Sequence, residues 1–414
     1  MNHFIGFGSQ HTTKKTPATD ETLQDTDNFS LVLGGPLFQL FRRAGMADNA
    51  LDLIRKRVMV ISLLTWLPLF ILAELDGDLL GDHVKLPFLM DIEVHIRFLV
   101  AVPLLILAEL IVHRRLRPIA RAFIDRKIIP EESVERFNEI IRSAFRLRNS
   151  VFIELLLIVL VYGLGIFVIW HRYIALQTTA TWYAIPSSNG LSLTLAGYWY
   201  AYVSVPAFQF LLIRWYFRLF VWTRFLWQVS HIKLNLFPTH PDRAGGLGFL
   251  ANTVYAFMAL LAAHGAMLAA QFANRIFFTG ANLMDFKAET GAMVAFLLCL
   301  VFAPLLVFTP QLANAKRTGL SEYGSLAERY VREFHSKWIN GSEPQNETLI
   351  GSADIQSLAD LSNSFEVVKS MRIVPITKDA IVRLAVAVIA PILPLALTIM
   401  SFEDLLQKLF GLVF

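Results

Sequence analysis

Apolar runs at about 58–75, 98–113, 150–170, 197–217, 248–276, 291–312 and 383–400 are separated by connectors in which basic residues are alternately abundant and scarce. That pattern belongs to a chain threading a bilayer: about 20 apolar residues of helix match a hydrocarbon layer of about 30 Å, and Lys and Arg collect in the cytoplasmic connectors. A backbone in lipid must satisfy its own hydrogen bonds. The runs are too long and too evenly apolar for the alternating strands of a membrane barrel. The fold class they predict is all-α, a polytopic transmembrane bundle of about seven helices.

Five Lys and Arg lie between Arg42 and Arg57, ten between Arg114 and Arg148, four between Arg218 and Arg243, and eight between Lys316 and Lys378. The alternate connectors hold Lys85 and Arg97, then Arg172, then Lys287, and the C-terminal tail has Lys408. The bias is 27 against 5, which predicts a cytoplasmic amino terminus in a bacterial inner membrane and a carboxyl terminus outside. Pro391 and Pro394 interrupt the last run, so a re-entrant hairpin with the tail returning inside is the alternative.

Composition agrees: hydrophobic residues make up 55% and charged residues 17%, against roughly 25% charged in soluble proteins. The net charge of +4 follows from topology, and membrane lipids are the expected partners of the basic residues. No separate basic domain with interleaved aromatics exists, which argues against nucleic acid. One cysteine, Cys299, cannot form an internal disulfide and is expected in core packing. No cleavable leader is expected.

Residues 1–28 read as a disordered tail and 29–57 as a cytoplasmic segment lying on the membrane surface, with Arg42 and Arg43 reaching head groups. Residues 58–312 form a six-helix core with a cytoplasmic helical extension at 114–149; 313–379 is a cytoplasmic helical region, and 380–414 holds the seventh span and a short amphipathic segment. Val134, Phe137, Ile141, Ala144 and Phe145 make a helical stripe that runs straight into the third span, which predicts one long helix projecting below the membrane. Tyr323, Leu326, Tyr330, Phe334 and Trp338 make a second, and Ile355, Leu358, Leu361, Phe365 and Val368 a third, with a loop at 340–348 between them. Such stripes bury against each other or form a homo-oligomer or partner interface. Tyr198, Trp199, Tyr200 and Tyr202 at one end of the fourth span, with Trp215 and Tyr216 at the other, suit two interfacial belts.

Ionisable residues at depth in lipid are functional candidates by default. Glu74 and Arg214 lie near span ends and are expected to snorkel to water. Glu109 and Glu154 share a depth on neighbouring antiparallel spans. Two carboxylates there suit a cation or a shared proton; pairing with Arg115, Arg146 or Arg148 is the structural alternative. His264, Gln271 and Arg275 fall on one face of the fifth span and make a candidate polar pathway. Close helix packing beside Ala262, Ala263, Gly265 and Ala266 is the competing account.

Between the fourth and fifth spans lies FPTHPDRAGGLGFL at 237–250. Asp242 is placed to cap the incoming helix, leaving His240 and Arg243 at head-group level, and Arg243 with free helix amides suits a phosphate. The glycines follow no strand and no Walker lysine accompanies them. A conformational lock is the plainer reading. HPDRAGGLGFL, together with GSADIQSLADLSNSFEVVKSMRIVPITKDAI at 351–381, resembles an uncharacterised family of bacterial polytopic inner-membrane proteins. The resemblance runs from about Phe29 onward and implies one continuous unit; it carries no activity and no residue roles.

No zinc-protease, serine-hydrolase, kinase or ATPase motif is present, and no Cys/His spacing suits a metal, so neither a cofactor nor a catalytic group is expected. The leading functional expectation is a channel or secondary transporter for ions or small solutes. A non-transporting scaffold or sensor is the alternative, and a lipid-processing enzyme using His240, Asp242 and Arg243 is the third.

Overall fold

A computed structural model describes residues 29–32, 34–36, 39, 54–80, 84–175, 180–187, 190–341, 349 and 351–398. The expected tail at 1–28, Arg42 and Arg43, most of the 340–348 loop and the amphipathic C-terminal segment lie outside the described residues.

The fold is an all-α, membrane-type bundle. In chain order its helices are α1 (Ile54–Leu75), α2 (Ile92–Asp125), α3 (Val134–Arg148), α4 (Val151–Ala175), α5 (195–229), α6 (Leu247–Thr279), α7 (Leu283–Leu306), α8 (Thr309–Phe334), α9 (Ala353–Lys369) and α10 (Lys378–Thr398). Among the described residues one antiparallel hairpin, Ala184–Ser187 with Gly190–Leu193, precedes α5. Among the described residues, α1, α2, α6, α7 and α10 are long and apolar enough to cross a membrane.

Burial separates the centre from the periphery. In the most apolar window of α6, 78% of residues are buried, against 22% in α1 and α10 and 28% in α7. The central helix α6 packs against α2 and α10, while α5 packs against α3, α4 and α7. Around the outside, Met59, Leu64, Leu75, Phe152, Val159, Val382 and Val386 are exposed, whereas Arg57, Arg97, Glu109, Arg214 and Arg218 are buried. Apolar outside and charged inside reverses the arrangement that water imposes, and lipid supplies the missing solvent for the outer face.

A π-helical turn interrupts α2 and another interrupts α5. Residues Arg97–Ala101 of α2 and Tyr200–Ser204 of α5 each form one, and each is followed by Val-Pro, at Pro103 and Pro206. A proline has no N–H for the carbonyl four residues earlier, and a widened turn just upstream accommodates the break. The side chains that open the two turns, Arg97 and Tyr200, touch each other.

The central helix begins with a 3-10 stretch, Leu247–Phe257, and ends at Gly280, whose φ of 69° permits a left-handed cap; the Gly280 N–H donates to Ile276 O at 3.2 Å. At Gly265 the backbone of α10 comes so close that a Cβ would lie 2.1 Å from Val388 O. The small-residue patch expected from Ala263, Gly265 and Ala266 therefore accepts the last helix.

Connectors gather at two ends. At one, Leu86 bridges to Thr181, Asp76 accepts from the Ala196 N–H, and Phe272 stacks on Phe286 at 4.3 Å. The Lys- and Arg-rich connectors lie at the other, where Asn235 N–H donates to Ile128 O and Gln311 donates to Ser230 O and Ile232 O.

Several expectations change. The piece expected on the membrane surface is, over Phe29–Val32, buried in the basic end, with Phe29 against Phe145, Trp222 and Phe225. Helices α3 and α4 are not one long helix, because the chain breaks at Asn149 and Ser150. Trp215 is no belt residue: it is buried, and its Nε1 donates to Leu105 O at 3.0 Å. Cys299 is exposed on the outer face rather than in the core. The second and third stripes do meet, α8 against α9, with Tyr330 Oη donating to Asp354 O. There Lys337 and Trp338 donate to the Asp354 carboxylate and hold its pKa below the usual range.

Candidate functional site

Among the described residues, buried polar groups cluster at three levels inside the bundle. Near the basic end Glu109 of α2 is gripped from two helices: Arg57 Nη2 of α1 lies 2.6 Å from Oε2, and Arg218 Nη2 of α5 lies 2.7 Å from Oε1. Arg214, one turn before Arg218 on the same face of α5, bridges Glu109 at 3.6 Å and Glu154 of α4 at 3.7 Å. The Arg218 guanidinium also stacks 4.7 Å from the Trp215 ring, and Trp215 is itself tied to Leu105, one turn from Glu109. Three helices are thereby keyed together around one carboxylate.

This arrangement corrects two readings. Arg214 does not snorkel to the surface; it is buried between the two carboxylates it joins. Glu109 and Glu154 do not face each other across a vacant cation site, since the Arg214 guanidinium stands between them and Arg57 and Arg218 also hold Glu109. Next to the cluster, the 29–32 segment is fastened by Arg148, which donates to Ser30 O, and by His113 Nδ1 at 3.0 Å from Ser30 Oγ.

Higher up, a cavity of about 230 Å³ lies between α2, α5, α6 and α7, with Arg97, Phe208, His264, Gln271 and Met293 among its walls. His264 is held at both nitrogens: Nδ1 is 2.8 Å from Leu260 O and Nε2 is 2.7 Å from Tyr216 Oη. A carbonyl oxygen only accepts, so Nδ1 carries the proton. Neutral His264 then accepts from Tyr216 at Nε2. Arg97 donates to Tyr200 Oη and to Glu93, and lies 5.8 and 5.7 Å from the rings of Tyr200 and Phe208.

At the opposite end Asp91 caps α2. Its carboxylate accepts from the Glu93 N–H at 3.1 Å, Asn274 Nδ2 at 2.9 Å and Trp182 Nε1 at 3.0 Å, while Asn274 Oδ1 accepts from the Ile92 N–H. This ties the end of α6 to the start of α2. Of the three α6 residues expected on one polar face, His264 and Gln271 line the cavity, but Arg275 lies beyond it. Arg275 is half-exposed, pairs with Glu289 at 3.0 Å and stacks on Phe286.

The loop residues are occupied by the fold. Asp242 accepts from the N–H groups of Ala244, Gly246 and Gly248 at 2.8, 3.2 and 2.7 Å, and His240 Nδ1 lies 2.9 Å from its carboxylate. Partial burial works against the ionised form, but these three amides and His240 outweigh it, so the Asp242 pKa lies below the usual carboxylate range. Asp242 thus accepts from the first turn of α6 at Gly248, while Gly246 stands at the cap position itself. The amides expected to hold a phosphate beside Arg243 are already taken by Asp242, and the Arg243 side chain is exposed. Arg372 of the second motif donates its N–H to Arg243 O at 2.7 Å and its Nη2 to Asp242 O at 2.9 Å, so the two motifs that carried the family resemblance interlock.

Sequence reasoning gives no site role to Arg57, Arg97, Arg218 or Asp91, and it places Tyr216 in an interfacial belt, whereas its hydroxyl meets His264. Arg57, Arg97 and Arg218 stood among the connector charges that set topology. The available signal was the i, i+4 spacing of Arg214 and Arg218 opposite two carboxylates of matching depth. No known protein family, curated protein or solved structure matches the chain, in keeping with an uncharacterised family, and no residue role transfers to it.

Proposed function

We propose that this is a seven-span protein of a bacterial inner membrane, amino terminus in the cytoplasm, that moves a small solute through its interior beside α6. The charge bias of 27 against 5 supports the orientation, and α4 and α5 supply the two spans beyond the five apolar helices. One observation carries the transport reading: a partly open cavity bearing Arg97, His264 and Gln271 lies between α2, α5, α6 and α7, at a level between the Glu109 cluster and the Asp91 network. A merely structural bundle is more stable with such a space filled by apolar side chains.

The test is solute flux into liposomes containing the purified protein, across a panel of ions and small organic solutes. Ala263→Phe, which fills the cavity, is expected to abolish the flux. Flux no greater than in empty liposomes for the whole panel refutes the proposal.

A scaffold reading has its own support in the α8/α9 pair, where Leu326, Val331 and Ile355 are exposed beyond the bundle. A second copy of the chain docking there is its simplest form. Cysteine crosslinking at 326 or 355 in native membranes checks it, and a dimer band is the expected result.

A further inference from the structure

A groove at the basic end has a chemistry that the bundle interior lacks. The stretch after α5 and the first turns of α8 enclose about 390 Å³ of open space, with His231, Lys233, Leu236, Gln311, Asn314 and Ala315 among its walls. Gln311 fixes its floor by donating to Ser230 O and Ile232 O, and the Leu234 N–H donates to Gln311 Oε1 at 3.4 Å. Ile232 and Leu234 are buried whereas His231 and Lys233 are exposed, so the polar side chains of this stretch stay within reach of a ligand. Ala315 lies just past the apolar run at 291–312, and Trp227, whose ring lies 4.5 Å from that of His231, is exposed. Both mark the level of a head-group boundary.

The charges that these two segments bring are all positive. No Asp or Glu occurs between Glu154 and Asp242 or between Glu289 and Glu322, so neither segment supplies a carboxylate. Lys233 makes no ion pair among the described residues, and Arg317 donates from Nη2 to Asn314 Oδ1 at 2.9 Å, which holds the guanidinium at one wall. With its oxygen so used, Asn314 keeps Nδ2 as a neutral donor that has no partner among the described residues. His231 Nδ1 lies 2.7 Å from Trp227 O and carries a proton, which leaves Nε2 uncommitted. A cation is repelled from such a groove, and an uncharged ligand makes no use of Lys233 or Arg317. Phosphate is the abundant anion at head-group level, and its oxygens diverge, so that an ammonium, a guanidinium and an amide can each take one. At Arg243 the amides that a phosphate needs are held by Asp242, whereas here donors remain. We propose that this groove binds the phosphate group of an anionic phospholipid or of a soluble phosphomonoester, with Lys233 and Arg317 as its counter-ions and Asn314 Nδ2 as a neutral donor.

Three probes separate the sources. Retention of dioleoylphosphatidylglycerol and of dioleoylphosphatidylcholine by the intact protein in detergent is measured by native mass spectrometry, and binding of glycerol 3-phosphate by titration calorimetry. A preference of about fivefold for phosphatidylglycerol over phosphatidylcholine is expected if the phosphate is a lipid's, and binding of glycerol 3-phosphate if it is soluble. In either case Lys233→Gln combined with Arg317→Gln is expected to remove the effect. Arg136→Gln combined with Arg146→Gln, the same change in net charge at exposed positions of α3, is expected to leave it unchanged. Ala315→Phe, which fills the groove without altering charge, is expected to act like the Lys233 and Arg317 pair, and that pair decides the question if Ala315→Phe does not fold. Equal losses in the groove pair and the α3 pair would make the attraction a property of the whole basic end and overturn the inference. Equal retention of the two lipids with no binding of glycerol 3-phosphate overturns it as well.

Discussion

Glu109 shows at a single residue why the interior charges are where they are. Its carboxylate faces Arg57, Arg214 and Arg218, so Glu109→Gln leaves three buried guanidinium groups sharing the loss of one negative charge. Removing one partner of a buried pair costs on the order of 3 kcal/mol, and the expected result is that loss in denaturant unfolding in detergent. Adding Arg218→Gln removes one of the stranded cations and is expected to recover about 1 kcal/mol, whereas strictly additive losses would mean that the pair is not coupled. Asp242 gives a pH-dependent counterpart. Its folded pKa is depressed, so its contribution is fully present above the ordinary value of 3.8 and lost as pH falls through the lower folded value. The protection of the Ala244 and Gly248 amides, as the exchange rate relative to the intrinsic rate at each pH, is expected to fall on acidification below about pH 4 in the native protein. In Asp242→Asn the same amides are expected to exchange faster already at neutral pH, with no further acid step from this residue.

At the scale of helices, what the sequence revealed depended on whether a signal was local. Apolar length and periodicity located α1, α2, α6, α7 and α10, and the α8 and α9 stripes, because each is a property of one segment. The small-residue run at Ala263, Gly265 and Ala266 likewise announced close packing. Its partner, Val388 of α10, lies more than a hundred residues away and left no local trace. The same limit hid the Arg57, Arg214 and Arg218 grip on Glu109, and it made Arg97 look like a connector charge. A charge near a span end reads as topology or as an ion pair depending only on which helix stands opposite. The Gly265 contact is directly testable. Gly265→Ala places a methyl against Val388 O and is expected to cost about 2 kcal/mol in unfolding free energy, the scale of overpacking a tight interior. Gly291→Ala on α7, where no heavy atom lies within 4 Å of the new Cβ, is expected to leave the midpoint unchanged or raise it. Equal losses in the two variants would place the cost in helix geometry and not in the α6/α10 contact.

For the molecule as a whole, topology and interior chemistry depend on the same basic residues. Connectors holding ten Lys and Arg between Arg114 and Arg148 gather at one end of the bundle, with the loop at 237–248 and the Arg372 segment. The hairpin near Ala184 gathers with Asp76 and Leu86 at the other. If the positive-inside bias governs insertion, a cysteine placed at Glu131 is shielded from a membrane-impermeant maleimide in intact cells, and one placed at Ile185 is labelled. Cys299 is exposed on the outer face of α7, so both variants require a Cys299→Ser background. Labelling of both sites from outside would put α3 and the hairpin in one compartment. The charge map would then not describe the insertion of this chain, and the depth assigned to Glu109 and His264 would have to be drawn again from their packing alone.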